Sequence, residues 1–178
     1  MRSPSYLLAL VLLATPAFAR EADEADTPAD RPAEASEIDT ILTSLAEDEG
    51  HAYLATLAPT AEDCAALFRR EQDAELACAY ADAMYAGLEG IPDGAMKPTT
   101  EDGGATVVFA SPALIEAGMA HPAFAPYAPI TPLLTPDALL YVFLFEDGEG
   151  RTTKTRGVLA RGADRWVFVP QLQRAFGG

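Results

Sequence analysis

Apolar residues at Ile38, Ile41, Leu42 and Leu45 follow the three-and-four spacing of one helix face. Ser36 stands where an N-cap is wanted and Gly50 where the helix would stop. A short helical piece, residues 51–57, ends before Pro59, and Thr60 reads as the next N-cap, with Glu62 and Asp63 in its first turn. From Thr60 to Leu88 the composition favours helix, but not one straight rod. Cys64, Leu67 and Phe68 cluster on one side, whereas Leu76, Tyr80 and Met84 fall roughly opposite. Two helices meeting in the polar run Arg69 to Asp73, the second capped by Asp73, would turn both faces onto one core. The cysteines fit that hairpin. Along one helix Cys64 and Cys78 would stand ~21 Å apart, far beyond disulfide reach, whereas across a hairpin they meet. The other reading is two buried thiols; neither cysteine sits in a CxxC motif or beside a histidine, which argues against a redox role.

Beyond Gly90 the period changes. Asp102-Gly103-Gly104 leads into a strand at 106–110, and residues 112–136 hold Pro112, Pro122, Pro126, Pro129, Pro132 and Pro136 among apolar side chains. After a short helix at Pro112 this stretch reads as an irregular flap over one side of a sheet. Leu139 to Phe145 is apolar at successive positions, as a strand covered on both faces would be. Asp147-Gly148-Glu149-Gly150 turns the chain, Thr152 to Arg161 returns, Gly162-Ala163-Asp164 turns again, and Arg165 to Val169 closes a meander that Pro170 ends. Helices followed by antiparallel strands define an α+β domain of about four strands.

Export is the expectation from the first twenty residues. Arg2 precedes the apolar run Leu7 to Ala14, which is too short to span a bilayer, and Ala17-Phe18-Ala19 offers a signal-peptidase site. Residues 1–19 are therefore read as a signal peptide. Residues 20–36, with six acidic residues and two prolines, are read as a disordered linker, and 37–178 as one domain. The expected location is the periplasm or the medium, with no membrane contact after cleavage.

A formal charge of −15 argues against nucleic acid and anionic membranes as partners. The charge is uneven. From 37 to 150 twenty acidic residues face Arg69, Arg70 and Lys97. From 151 onward only Asp164 opposes Arg151, Lys154, Arg156, Arg161, Arg165 and Arg174. Pairing between acidic helices and basic strands accounts for this, and an anion-binding face on the C-terminal strands is the sharper alternative.

Catalytic motifs are missing from the sequence. There is no G-x-S-x-G elbow and no phosphate-cradling glycine loop. His51 lies four residues after Glu47, but with no third ligand in view it reads as solvated or capping; His121 has no identifiable partner. Asp147 to Gly150 lacks the ladder of a calcium loop and reads as a hairpin turn. No metal or cofactor is expected.

Pro59-Thr60-Ala61-Glu62-Asp63-Cys64 at a helix start, with Arg165-Trp166-Val167-Phe168-Val169-Pro170 near the end, resembles a group of small exported bacterial proteins of unknown function. Their chains open the helical part with P-T-x-E-x-C and close with W-V-F-F-P-K; here Val169 and Gln171 depart from that pattern. The order of helices and then curved sheet is also similar to the NTF2-like, cystatin-type cone, which would supply a pocket but no particular activity. The resulting expectation is a non-catalytic binding or accessory module for a protein or small molecule. Trp166, Tyr127, Tyr80 and Tyr53 are its candidate ligand contacts. The rival is a small cone-fold isomerase or dehydratase using buried Asp and Tyr, with Tyr53, Asp63, Tyr80 and Asp82 able to line a cavity.

Overall fold

The computed structural model describes residues 32–92, 95, 97–98, 105–146 and 152–177. The expected signal peptide, most of the expected linker, and the Asp102–Gly104 and Asp147–Gly150 turns lie outside them. Helix α1 (Pro32–Glu47) starts four residues before Ser36, so the linker is at least five residues shorter than expected, and Ser36 does not cap. Ser36 sits inside the helix, its carbonyl accepting from the Thr40 hydroxyl. Proline at the first helical position explains the early start, since its missing N–H would have no partner there. Ile38, Ile41 and Leu45 are buried as their spacing requires.

The chain then turns through Gly50 and His51, both with left-handed backbone, into α2 (Ala52–Thr56). The Asp48 carboxylate accepts from the backbone N–H groups of Tyr53 and Leu54 at 2.9 and 2.8 Å and so fixes this corner. His51 is buried rather than solvated, its Nε2 2.7 Å from the Ile91 carbonyl oxygen. Lys97 is also buried, and its ammonium donates to the Leu45 carbonyl, supplying positive charge at the C-terminal end of α1.

Helix α3 (Ala61–Leu67) and helix α4 (Glu71–Tyr85) form the expected hairpin, with extended backbone at Phe68 and Arg70 between them. Cys64 and Cys78 are joined across it, with Cα atoms 6.0 Å apart. Two expectations about α4 need correction. Arg70, not Asp73, occupies the N-cap position, and its guanidinium donates to the Asp73 carboxylate at 2.6 and 2.8 Å. The buried face is Ala74, Ala77 and Ala81, whereas Leu76 is 47% exposed. Alanines let α4 lie close to its neighbours, while Tyr80, Met84 and Tyr85 are partly buried against the core and only Leu76 of the expected set is turned out.

Strands β1 (Ala105–Ala110), β2 (Leu140–Glu146), β3 (Thr152–Arg161) and β4 (Trp166–Phe168) form an antiparallel meander in chain order. Its two faces are both covered. Leu140, Val142 and Leu144 of β2 pack with α3, α4 and the proline-rich segment. Tyr141, Phe143 and Phe145 pack with α1 and α2. The architecture is α+β with helices over both sheet faces. Between Tyr141 and Phe143 the register of β3 slips by one residue, at Gly157 with φ +45°. A Cβ there would lie 2.1 Å from the Phe168 ring, so the close approach of β4 requires glycine.

The proline-rich stretch is more regular than expected. After α5 (Pro112–Glu116), capped by the Ser111 hydroxyl, residues Pro122–Leu133 form consecutive 3₁₀ turns. At three residues per turn, Phe124, Tyr127, Ile130 and Leu133 share one inward ridge, while Pro126, Pro129 and Pro132 are exposed. Proline's fixed φ suits this geometry, although each interior proline forfeits one backbone hydrogen bond. A last 3₁₀ segment, Leu172–Phe176, follows Gln171, whose φ of +55° places it in the left-handed region. No helix among the described residues is long and apolar enough to cross a membrane.

Candidate functional site

The two phrases of the sequence resemblance meet in space. Thr60 caps α3 in a reciprocal box, its hydroxyl accepting from the Asp63 N–H while the Asp63 carboxylate accepts from the Thr60 N–H at 2.9 Å. Asp63, 2% exposed, also accepts from the Thr60 hydroxyl, the Ala163 N–H and Arg165 Nε. Gly162 makes the approach possible, since a Cβ there would stand 2.3 Å from Asp63 Oδ1. Arg165 donates further to the Thr56 and Ala58 carbonyls, and the Phe168 N–H to the Leu57 carbonyl. Burial opposes the Asp63 charge, but hydrogen bonds from Thr60, Arg165 and Ala163 outweigh it, and the carboxyl titrates below its ordinary range. A carboxylate so engaged is a clamp and a poor general base.

The four candidate ligand contacts divide between the two sheet faces. Trp166 and Tyr53 pack on the α1 side. The Trp166 indole donates to Glu37 at 2.7 Å, meets Tyr141 edge-on, and lies under the Arg161 guanidinium. Trp166 therefore joins α1 to the sheet. Tyr80 and Tyr127 lie on the other side. The Tyr80 hydroxyl donates to the Pro170 carbonyl at 3.3 Å and the Tyr85 hydroxyl to the Phe168 carbonyl at 2.6 Å, as core aromatics with an edge hydroxyl would. His121 caps the 122–133 segment, its Nδ1 accepting from the Ala123 N–H. Among the described residues no three His, Cys, Asp or Glu side chains group as metal ligands.

Tyr127 leads to the cavity. A pocket of about 270 Å³ opens between the proline-rich segment, the β2–β3 bulge and the C-terminal turn. Tyr127, Val142, Gly157, Pro170, Gln173 and Arg174 contribute to its walls. Burial and the nearby Tyr80 push the Tyr127 phenol up to about 12, so it is neutral at physiological pH. Burial likewise raises Tyr80, against the opposing pull of the Arg174 charge. Gln171, Gln173 and Arg174 were not candidates in the sequence, where only the basic bias of the last strands hinted at Arg174. A second depression, a groove of about 630 Å³, runs along the α3–α4 hairpin past Ala65, Phe68, Ala74, Cys78 and Asp82. Asp82 and Asp63 are thus kept apart from the Tyr127 cavity.

No family model matches the chain, and neither a curated protein nor a solved structure does.

Proposed function

We propose that this chain is an exported, non-catalytic binding module that takes a small molecule between its proline-rich segment and its sheet. The observation that carries this reading is the 270 Å³ cavity at Tyr127, where sheet, proline ridge and C-terminal turn meet around a neutral, buried phenol. The Cys64–Cys78 disulfide favours an oxidising compartment, in keeping with the signal-peptide pattern at residues 1–19. The enzyme alternative has a raised phenol to offer, but Asp63 is committed to its clamp and Asp82 lies along the hairpin groove.

The test is thermal unfolding of the protein, recovered from the periplasmic fraction of an expressing host, against a panel of small polar compounds. Binders should raise Tm for the native chain and leave Tm of an Ala123→Trp variant, in which the new ring fills the cavity, unmoved. A panel without binders, or compounds turned over during incubation, would sink the proposal. Retention of the chain in the cytoplasm would overturn the export half.

A further inference from the structure

Among the described residues the sheet has two outer strands, and they are finished differently. At β4 all three residues are buried, and the Phe168 N–H donates to the Leu57 carbonyl at 2.9 Å. At β1 every residue is paired with β2, and among the described residues none of the six makes a backbone hydrogen bond on its other side. A strand paired along one side still presents half of its N–H and C=O groups, a template for a further strand. Folded proteins blunt such edges with lysine, proline or a bulge. Strand β1 has none of the three: its sequence is Ala-Thr-Val-Val-Phe-Ala, and its register with β2 runs through six consecutive pairs without a slip.

Burial and charge say what this edge meets. Val107 and Phe109 are half-buried on the α1 side of the sheet and Val108 on the other, whereas β2 beside them is buried from Leu140 to Phe145. Half-exposure of apolar side chains on both faces is what the want of a neighbouring strand produces. From Gly103 to Ile115 the sequence has no Asp, Glu, Lys or Arg, in a chain whose formal charge is −15. Two such chains repel one another where acidic surfaces face, and helices α1 and α4 expose Glu37, Asp39, Glu71 and Glu75. At β1 neither copy brings a charge. The edge therefore calls for an extended, uncharged, apolar strand, and β1 is itself such a strand. A strand from elsewhere would satisfy one edge; a second β1 satisfies two.

We propose that two copies of this chain join through β1, antiparallel about a two-fold axis, so that two four-stranded sheets become one continuous sheet. With the axis perpendicular to the sheet near Val107 and Val108, Val107 and Phe109 of both copies share the α1 side and Val108 the other. Each apolar face then continues across the contact. Six residues a side provide about six main-chain hydrogen bonds. Pro112, which opens α5 just beyond the strand, limits the pairing at that end. The contact is independent of the Tyr127 cavity.

Sedimentation equilibrium of the native chain, over a range of protein and salt concentrations, tests the contact. The expected result is a monomer–dimer equilibrium that reaches twice the chain mass and no more. Added salt should tighten it, because screening weakens the repulsion between two chains of charge −15. Thr106→Lys, at the exposed position of β1, should weaken the dimer about tenfold or more while the far-UV spectrum stays native. Met119→Lys, at an exposed apolar side chain outside β1, should leave the dimer intact. Amide hydrogen exchange on the native chain needs no variant: protection of the β1 amides should rise with protein concentration. A chain that is monomeric at every concentration overturns the proposal and leaves the edge to a strand of another protein. So does a dimer that Met119→Lys dissolves and Thr106→Lys does not, one that added salt weakens, or β1 exchange indifferent to concentration. Growth past the dimer overturns the two-fold closure.

Discussion

Two corners of the molecule put polar side chains where helical segments meet the C-terminal strands, and they are finished in opposite ways. At the Asp63 corner every group is answered: four hydrogen bonds converge on the carboxylate, Arg165 reaches two carbonyls besides, and the disulfide begins at the next residue. At the Tyr127 corner the Tyr127 phenol has no hydrogen-bond partner among the described residues, the Gln173 amide oxygen is buried without one, and the Arg174 guanidinium is exposed with no described acid beside it. The first arrangement buries polarity to hold elements in register. The second buries an amide oxygen without a partner, which costs free energy rather than holding elements in register.

Substitutions should separate the two corners. The largest effect belongs to Asp63→Ala, which strips partners from the Thr60 and Ala163 N–H groups and from Arg165; a loss of about 3–4 kcal/mol is expected in urea unfolding. A loss under 1 kcal/mol would refute the clamp. Reducing the Cys64–Cys78 bridge should cost about 3 kcal/mol, read as a lower urea midpoint in reductant. Gly157→Ala forces a Cβ against the Phe168 ring at a left-handed φ and should cost about 2 kcal/mol, seen as a fall in Tm. The pH profile should distinguish the corners next. The folded Asp63 carboxyl titrates below its ordinary 3.8, so its contribution to stability is complete above that value and is lost as pH falls through the folded pKa. Asp63→Asn should therefore flatten the acid limb of a stability-against-pH curve, and an unchanged limb would assign it to other groups. The smallest effects belong to the open corner. Tyr127→Phe, Gln173→Leu and Arg174→Gln should each move stability by less than about 0.5 kcal/mol, with Gln173→Leu neutral or stabilising. A loss of 2 kcal/mol at any of them would make that residue part of the scaffold.

Much of the fold was legible in local pattern. The α1 face, the Thr60 cap, the strand order and the disulfide follow from helical period, turn residues and chain reach, each a matter of a few neighbouring positions. Errors came where a neighbour distant in the chain intervened. Leu76 belongs to an apolar set by spacing, but the close approach of α4 selects the alanine face instead. The proline-rich run seemed irregular because proline is usually read as a breaker, whereas three-residue spacing makes it a 3₁₀ ridge.

The sequence by itself determined the α+β order, the hairpin and its staple, and the uneven charge, because these depend on period, turn chemistry and composition. Only the tertiary structure decided which polar residues are spent and which are left. Asp63 and Arg165 stand about a hundred positions apart and become a clamp, while Tyr127 and Gln173 come to share an unfilled cavity. Satisfaction of a hydrogen bond is a property of three-dimensional neighbours, and no one-dimensional pattern records it.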